Sequence, residues 1–280
     1  MGIVVVLLPA GRPARLAPQT AISVLASLPG STRAAGLGSA GAALAGDAGA
    51  IFANPAAIAT IHRVALEGSY ADHYVGGRAL SGATLAVRLG RFDWGAGAER
   101  LGGGSLASAD LLGVSSLAFR AGLLAVGGSA KYARETIAGV TEHRWAGDAG
   151  LAIAVFDIMA VGVSVQNLGG GGAAHLPRRT RAGFTMNYVD PQGTYRLLTT
   201  VEGQWPDTGS AFVVLGVEAG VVRHGIGLIG RTGYRGHSLA TSASPFTFGG
   251  SVELGRVHVD YAYQAVDAAD THRFGVRWTP

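Results

Sequence analysis

No stretch of this chain stays apolar long enough to cross a membrane as a helix, yet 48% of its residues are hydrophobic. A spanning helix needs roughly 20 consecutive apolar residues. The longest uninterrupted runs, such as Ile3 to Leu8, fall far short. Only 14% of the residues are charged, against about 25% in an ordinary soluble domain. The apolar content must therefore be spread out. Alternation spreads it while keeping one face of each segment apolar, and alternation is the period of a β-strand.

From Arg63 onward, segments about ten residues long are separated by Gly, Pro, Asp or Asn clusters. Strands are expected over 63–71, 78–89, 91–100, 109–120, 122–134, 142–155, 158–168, 178–189, 194–205, 209–220, 224–234, 246–254, 256–264 and 271–278. The even number is what a single-chain bacterial barrel requires, and the lengths suit strands tilted across a bilayer.

Parity sharpens the reading. Phe274, Val276 and Trp278 oppose Arg273, Gly275 and Arg277, and Val257, Val259, Tyr261 and Tyr263 oppose His258, Asp260 and Gln264. Phe246, Phe248, Val252 and Leu254 oppose Thr247, Gly249, Ser251 and Glu253. Phe184, Met186 and Tyr188 oppose Arg181, Gly183, Thr185 and Asn187, while Leu197 and Val201 oppose Arg196 and Glu202. An arginine or lysine facing lipid at mid-membrane costs roughly 2–4 kcal/mol, so the charged parity must face a lumen. A soluble sandwich would turn the apolar parity inward and carry many surface Lys and Glu. This polar parity is instead Gly-rich and sparsely charged, and Lys131 is the only lysine. The expected fold class is all-β, a 14-stranded antiparallel transmembrane β-barrel with a short N-terminal helical hatch or plug.

Residues 1–32 read as an export signal or disordered lead, 33–62 as the hatch and 63–280 as the barrel. In the lead, Arg12 and Arg15 follow the apolar core instead of preceding it, so either the signal is atypical or the start lies elsewhere. Residues 33–62 are alanine-rich and do not alternate. There Asp47 can cap a short helix, and Asn54–Pro55 has the form of an N-cap followed by proline at the first helical position.

Three stretches of sequence are distinctive. The first holds Arg33, Ala34, Gly36, Gly38, Asp47, Ala48, Asn54, Pro55 and Ala56; the second is VSVQNLGGG at 163–171, followed by LPRRTRAGF at 176–184; the third is the closing VHVDYAYQAVDAADTHRFGVRW. Together and in this order they resemble the PorV/PorQ family within the wider FadL-like barrels. The resemblance implies a fourteen-stranded barrel in the bacterial outer membrane, with a hatch built around the Asn-Pro element. It also implies one of two roles: passage of small hydrophobic molecules, or membership of a type IX secretion and attachment assembly. A structural barrel with a closed lumen is the remaining alternative. Outer-membrane lipid, a hydrophobic small molecule and secretion-system proteins are the partners it implies.

Enzymatic chemistry finds no support. Gly36-Leu-Gly38-Ser-Ala-Gly41 matches a dinucleotide-binding pattern in letters only, because no parallel β/α unit follows it. His237–Ser238 lacks the strand-to-helix setting of a nucleophile elbow. The eight histidines show no metal-ligand spacing, cysteine is absent, and the net charge of +4 forms no basic run for nucleic acid. No catalytic residue, metal or cofactor is expected. The lumen charges Glu67, Asp93, Glu99, Lys131, Asp148, Arg181, Arg196, Glu202, Glu218, Arg231, Glu253, Asp260, Arg273 and Arg277 would line a permeation path or form an ion-pair network gripping the hatch. Mixed signs favour the network, since a selectivity filter uses a ring of one sign.

Overall fold

In the computed structural model the described residues are 21–75, 77–102, 109–137, 139–155, 158–170, 174–190, 193–236, 243–267 and 269–280. Residues 1–20 of the export signal or disordered lead expected over 1–32, and the His237–Ser238 pair, lie outside them. Fourteen strands form one closed antiparallel meander. They are β1 (Val64–Val75), β2 (Arg78–Leu89), β3 (Phe92–Leu101), β4 (Asp110–Ala121), β5 (Leu124–Ile137), β6 (Val140–Val155), β7 (Met159–Leu168), β8 (Arg179–Asn187), β9 (Tyr195–Pro206), β10 (Phe212–Arg223), β11 (Ile226–Arg235), β12 (Ala243–Leu254), β13 (Val257–Val266) and β14 (Thr271–Trp278). The barrel closes by pairing β14 with β1, Phe274 opposite Tyr70. Closure leaves no unpaired strand edge, which lipid would not tolerate.

Side-chain parity follows the expected rule. Phe274 and Val276 are 54% and 53% exposed on the outer wall, while the flanking Arg273 and Arg277 are 2% and 7% exposed. Charges of outward parity, such as Arg100, Arg134 and Arg223, sit close to strand ends. Aromatic pairs edge the wall, among them Tyr132–Trp145, Tyr234–Phe246 and Phe92–Phe119 with ring centres 5.2, 5.4 and 5.2 Å apart. This is the apolar band and aromatic girdle of a membrane barrel.

One end carries mostly tight turns, several of them closed by glycine, with one longer connection at 188–194. At the β10–β11 turn both His224 (φ 51°) and Gly225 (φ 77°) are left-handed, the geometry a two-residue primed hairpin demands. The other end carries the longer connections 102–109, 169–178 and 236–242. Irregularities differ from the expected even ladder. Pairing slips between Ala71 and Val75, between Ala243 and Thr247, and between Gly147 and Ala149. The first two slips accompany extensions of β1 and β12 beyond the ranges expected from alternation, because a bulge interrupts the period of two.

The N-terminal segment runs inside the barrel. It comprises a 3-10 turn Val24–Ser27, helix α1 (Thr32–Gly36) and two further 3-10 turns, Ala48–Phe52 and Pro55–Thr60. Upstream of these, Ala21–Ile22 pairs in parallel with Ala174–His175 of the loop at 169–178. Leu25, Ile51, Phe52 and Ile58 of this segment form a core with inward-facing Ala65, Ala86, Ala118, Ala125, Ala133 and Ala152. On β1–β6 the inward parity is therefore largely alanine as well as polar. Small wall residues make room for a plug whose larger apolar side chains supply the volume.

Candidate functional site: the plug and its seat

The plug is shaped by its own caps. Ser31 caps α1 by accepting from Ala34 N at 3.0 Å, and its hydroxyl donates to Asp47 at 2.6 Å. Asp47, fully buried, also accepts from Gly49 N at 2.9 Å. Asn54 Oδ1 accepts from Ala56 N at 3.0 Å, and Pro55 occupies the first turn as expected. Asn54 Nδ2 then donates to Ala42 O within the plug at 2.7 Å and to Leu151 O of the barrel wall at 3.0 Å. One amide side chain thus caps a turn, ties two plug strips together and fixes both to β6.

Lumen charges form four clusters, and the first two bond directly to the plug. In the first, Arg33 makes a two-point pair with Glu218, Nε to Oε2 at 3.0 Å and Nη2 to Oε1 at 3.1 Å. Glu218 also accepts from Arg231 at 2.6 Å, Arg231 from its other side reaches Asp260 at 2.9 Å, and Asp260 accepts from Arg277 at 2.6 Å. Ser251 also donates to Asp260. Glu67 accepts from Thr32 N at 2.8 Å where α1 begins. In the second cluster Glu202 pairs with Arg181 at 2.6 Å and accepts from Gly41 N and Ala42 N at 2.8 and 2.7 Å. Arg181 in turn donates to Ser39 O at 2.7 Å.

In the third cluster Lys131 pairs with Asp148 at 2.7 Å beside Asn167. In the fourth, Arg273 pairs with Glu99 at 3.2 Å and donates to Ser69. Arg196 and Glu253 stand apart: Arg196 donates to Gly193 O at 2.6 Å, and Glu253 pairs with His258 at 3.1 Å. Gly36 and Gly38 serve close approach. Gly36 O accepts from Thr247 at 3.2 Å, and Gly38 N donates to the same hydroxyl at 3.0 Å. A Cβ on Gly233 would strike Gly38 N, and one on Gly162 would strike Ala42 O. Ala56 is buried against Gly127, whose Cβ would lie 2.7 Å from Ala56 N.

Several partners were not foreseen. Glu135 pairs with Arg144 at 3.1 Å and accepts from Val24 N at 3.0 Å. Arg88 and Arg120 share the buried Asp93, and Arg88 also donates to Ala59 O at 2.8 Å. Continued inward parity on β5 and β6 is the signal that could have found Glu135 and Arg144. The QNLG stretch takes a structural meaning too. Gln166 donates to Phe52 O at 2.6 Å, and Asn167, at φ 61°, donates through its side chain to Pro177 O at 2.8 Å. The three sequence stretches that carry the resemblance therefore converge on one surface, the contact between plug and wall.

The plug divides the interior unequally. On the turn side a vestibule of about 670 Å³ opens between the plug residues Gly46 and Thr60 and the wall residues Ala125, Ala160, Leu198 and Ile229. Arg33, Arg196, Arg231 and Arg277 border it, with Glu218 and Glu253. On the loop side two described cavities between plug and wall have only about 20 and 50 Å³. A cavity of about 150 Å³ is what accommodates benzene, so neither of these two admits a hydrocarbon in this state.

No family model matches the sequence, and no curated protein matches it. Solved structures do. The chain is similar to the Ralstonia pickettii toluene transporter TbuX at 14% identity and a TM-score of 0.56, over 87% of this chain and 95% of that one. It is similar to the monoaromatic hydrocarbon channel CymD at 13% identity and 0.58, over 87% and 94%. A mutant of the monoaromatic hydrocarbon channel TodX aligns at 11% identity and 0.53, over 88% and 96%. This chain is a closed fourteen-stranded transmembrane β-barrel with the fold of those channels.

Proposed function

We propose that this protein is an outer-membrane channel for small hydrophobic molecules, a FadL-like barrel of the PorV/PorQ type. The observation that carries the reading is the nature of the plug's attachment. Residues 24–60 are held in the barrel by side-chain hydrogen bonds and ion pairs, not by pairing with a barrel strand. Such contacts can be exchanged without opening the wall. The likeness to the hydrocarbon channels supports the substrate class, and the three sequence stretches support the finer PorV/PorQ type. Its outward face meets outer-membrane lipid.

The short-turn end is the periplasmic one by the usual asymmetry of such barrels. The vestibule then opens to the periplasm, and its alanine, leucine and isoleucine lining receives the solute once the plug shifts. The lumen charges act as the clamp that holds the closed state. The alternative, a component of a type IX secretion and attachment assembly, rests on the resemblance alone; its binding loops around 169–177 and 235–245 fall partly outside the described residues.

The reading is tested with the full chain refolded into phospholipid vesicles. Toluene-class probes enter protein-containing vesicles faster than empty ones, while glucose-sized polar solutes do not. Equal entry of both kinds of solute would mark a general pore, and no entry of either would mark a structural barrel.

A further inference from the structure

Near the loop end, beneath the 169–178 connection, a small cavity has three cationic side chains in its lining: Lys131, Arg179 and Arg181. All three are buried, at 4%, 6% and 6% exposure. Lys131 is paired with Asp148 and Arg181 with Glu202. Arg179 has no carboxylate of its own, and its Nε finds no hydrogen-bond partner among the described residues. The charges that act on it are Arg181 and Arg235, which repel it, and Glu202, which Arg181 already holds. Around the cavity, three cations therefore face two carboxylates. An unpaired buried cation is strongly unfavourable, and proteins either pair such a charge or ligate it.

The remaining lining is suited to an anion. Gln166 and Asn167 each keep one amide N–H beyond those given to Phe52 O and Pro177 O, and Leu25, Leu28, Phe52, Leu112 and Leu176 form apolar walls. A volume of about 20 Å³ exceeds the roughly 10–15 Å³ that one water requires. It suits one halide-sized ion and is tight for a carboxylate or a sulfate.

We propose that this cavity binds a single small monovalent anion, chloride in class, held between Arg179, Arg181 and Lys131. The ion balances the third cation and sits where plug residues Leu25, Leu28 and Phe52 meet wall residues of β4, β5, β7 and β8. It is a built-in counter-ion that locks the loop-side rim of the plug. The inference is independent of which solute the barrel passes.

The test uses the full chain in neutral detergent, with thermal unfolding followed at equal ionic strength in sodium gluconate, chloride, bromide and sulfate. Chloride and bromide raise the midpoint by about 2–4 °C over gluconate and sulfate, as expected for linkage to one bound ion. Arg179→Met removes the uncompensated charge, folds as a barrel in gluconate, and loses the halide dependence. Crystals grown in bromide show an anomalous peak between Arg179, Arg181 and Lys131. Equal midpoints in gluconate and chloride for the wild-type chain overturn the proposal. So does an unchanged halide effect in Arg179→Met, and so does a cavity holding only water in bromide-grown crystals.

Discussion

Arg33 and Glu218 lie 185 residues apart in sequence and meet through two parallel hydrogen bonds, the planar fork of a guanidinium against a carboxylate. This arrangement is directional as well as strong. Arg33 belongs to the plug and Glu218 to β10, so this pair is a direct mechanical link between plug and wall. Burial raises the stakes, since desolvation disfavours the Arg33 charge while Glu218 restores it and holds Arg33 above its ordinary range. Arg33→Ala is expected to destabilise the plugged state by about 3 kcal/mol, because Glu218 keeps only Arg231. Urea titration of the wild type, both single variants and Arg33→Ala/Glu218→Ala measures the coupling directly. Additive effects would show that the pair does not hold the plug.

Asn54 makes three hydrogen bonds with one side chain, and Asn54→Ala removes all of them. The lost cap costs about 1 kcal/mol, and leaving buried carbonyls of Ala42 and Leu151 without their donor adds about 1–3 kcal/mol. Fluctuating ion conductance across a planar bilayer is the expected readout, since the plug loses its hold on β6. Asn54→Asp keeps the cap but not the donations, and is expected to fall between the two. A quiet, wild-type-like trace from Asn54→Ala would contradict this account.

Gly162 and Gly230 separate seat from wall. A side chain at Gly162 collides with Ala42 O, whereas a Cβ at Gly230 meets nothing closer than 3.9 Å. Gly162→Val should therefore unseat the plug and raise conductance while the barrel still forms. Gly230→Val should behave as wild type. Strand content by circular dichroism confirms that the barrel persists in both variants.

Phe274 tests the outer wall. Phe274→Arg places a charge in mid-strand on the lipid side and should lower folding stability in vesicles by roughly 2–4 kcal/mol. Denaturant titration of vesicle insertion measures it, and a change below about 0.5 kcal/mol would mean that this face does not meet hydrocarbon.

The barrel was legible because its code is local. Alternation such as Phe274/Val276 against Arg273/Arg277 needs only neighbouring residues, and each expected strand has its counterpart in the structure. The Asn54–Pro55 cap was legible for the same reason, since it is built from adjacent residues. Bulges near Ala71 and Ala243 were not, because they depend on how the partner strand is placed. The clamp was half visible. Parity placed Glu202 and Arg181 in the lumen, but nothing in sequence joins Glu202 to the backbone of Gly41 and Ala42. Inward alanines such as Ala118 and Ala125 carry no sign of the plug side chains they accommodate, because a small residue records space without recording its occupant.

In the proposed function, solute passes when the plug moves. The chain contains no cysteine, so a tether can be introduced cleanly. A Cβ at Gly183 would lie 3.5 Å from Cβ of Ala43, within the span of a disulfide. In vesicles loaded with Ala43→Cys/Gly183→Cys protein, oxidation should halt toluene entry and reduction should restore it to the wild-type rate. Identical entry in the oxidised and reduced forms, with cross-linking verified by mass, would contradict a route that depends on plug movement.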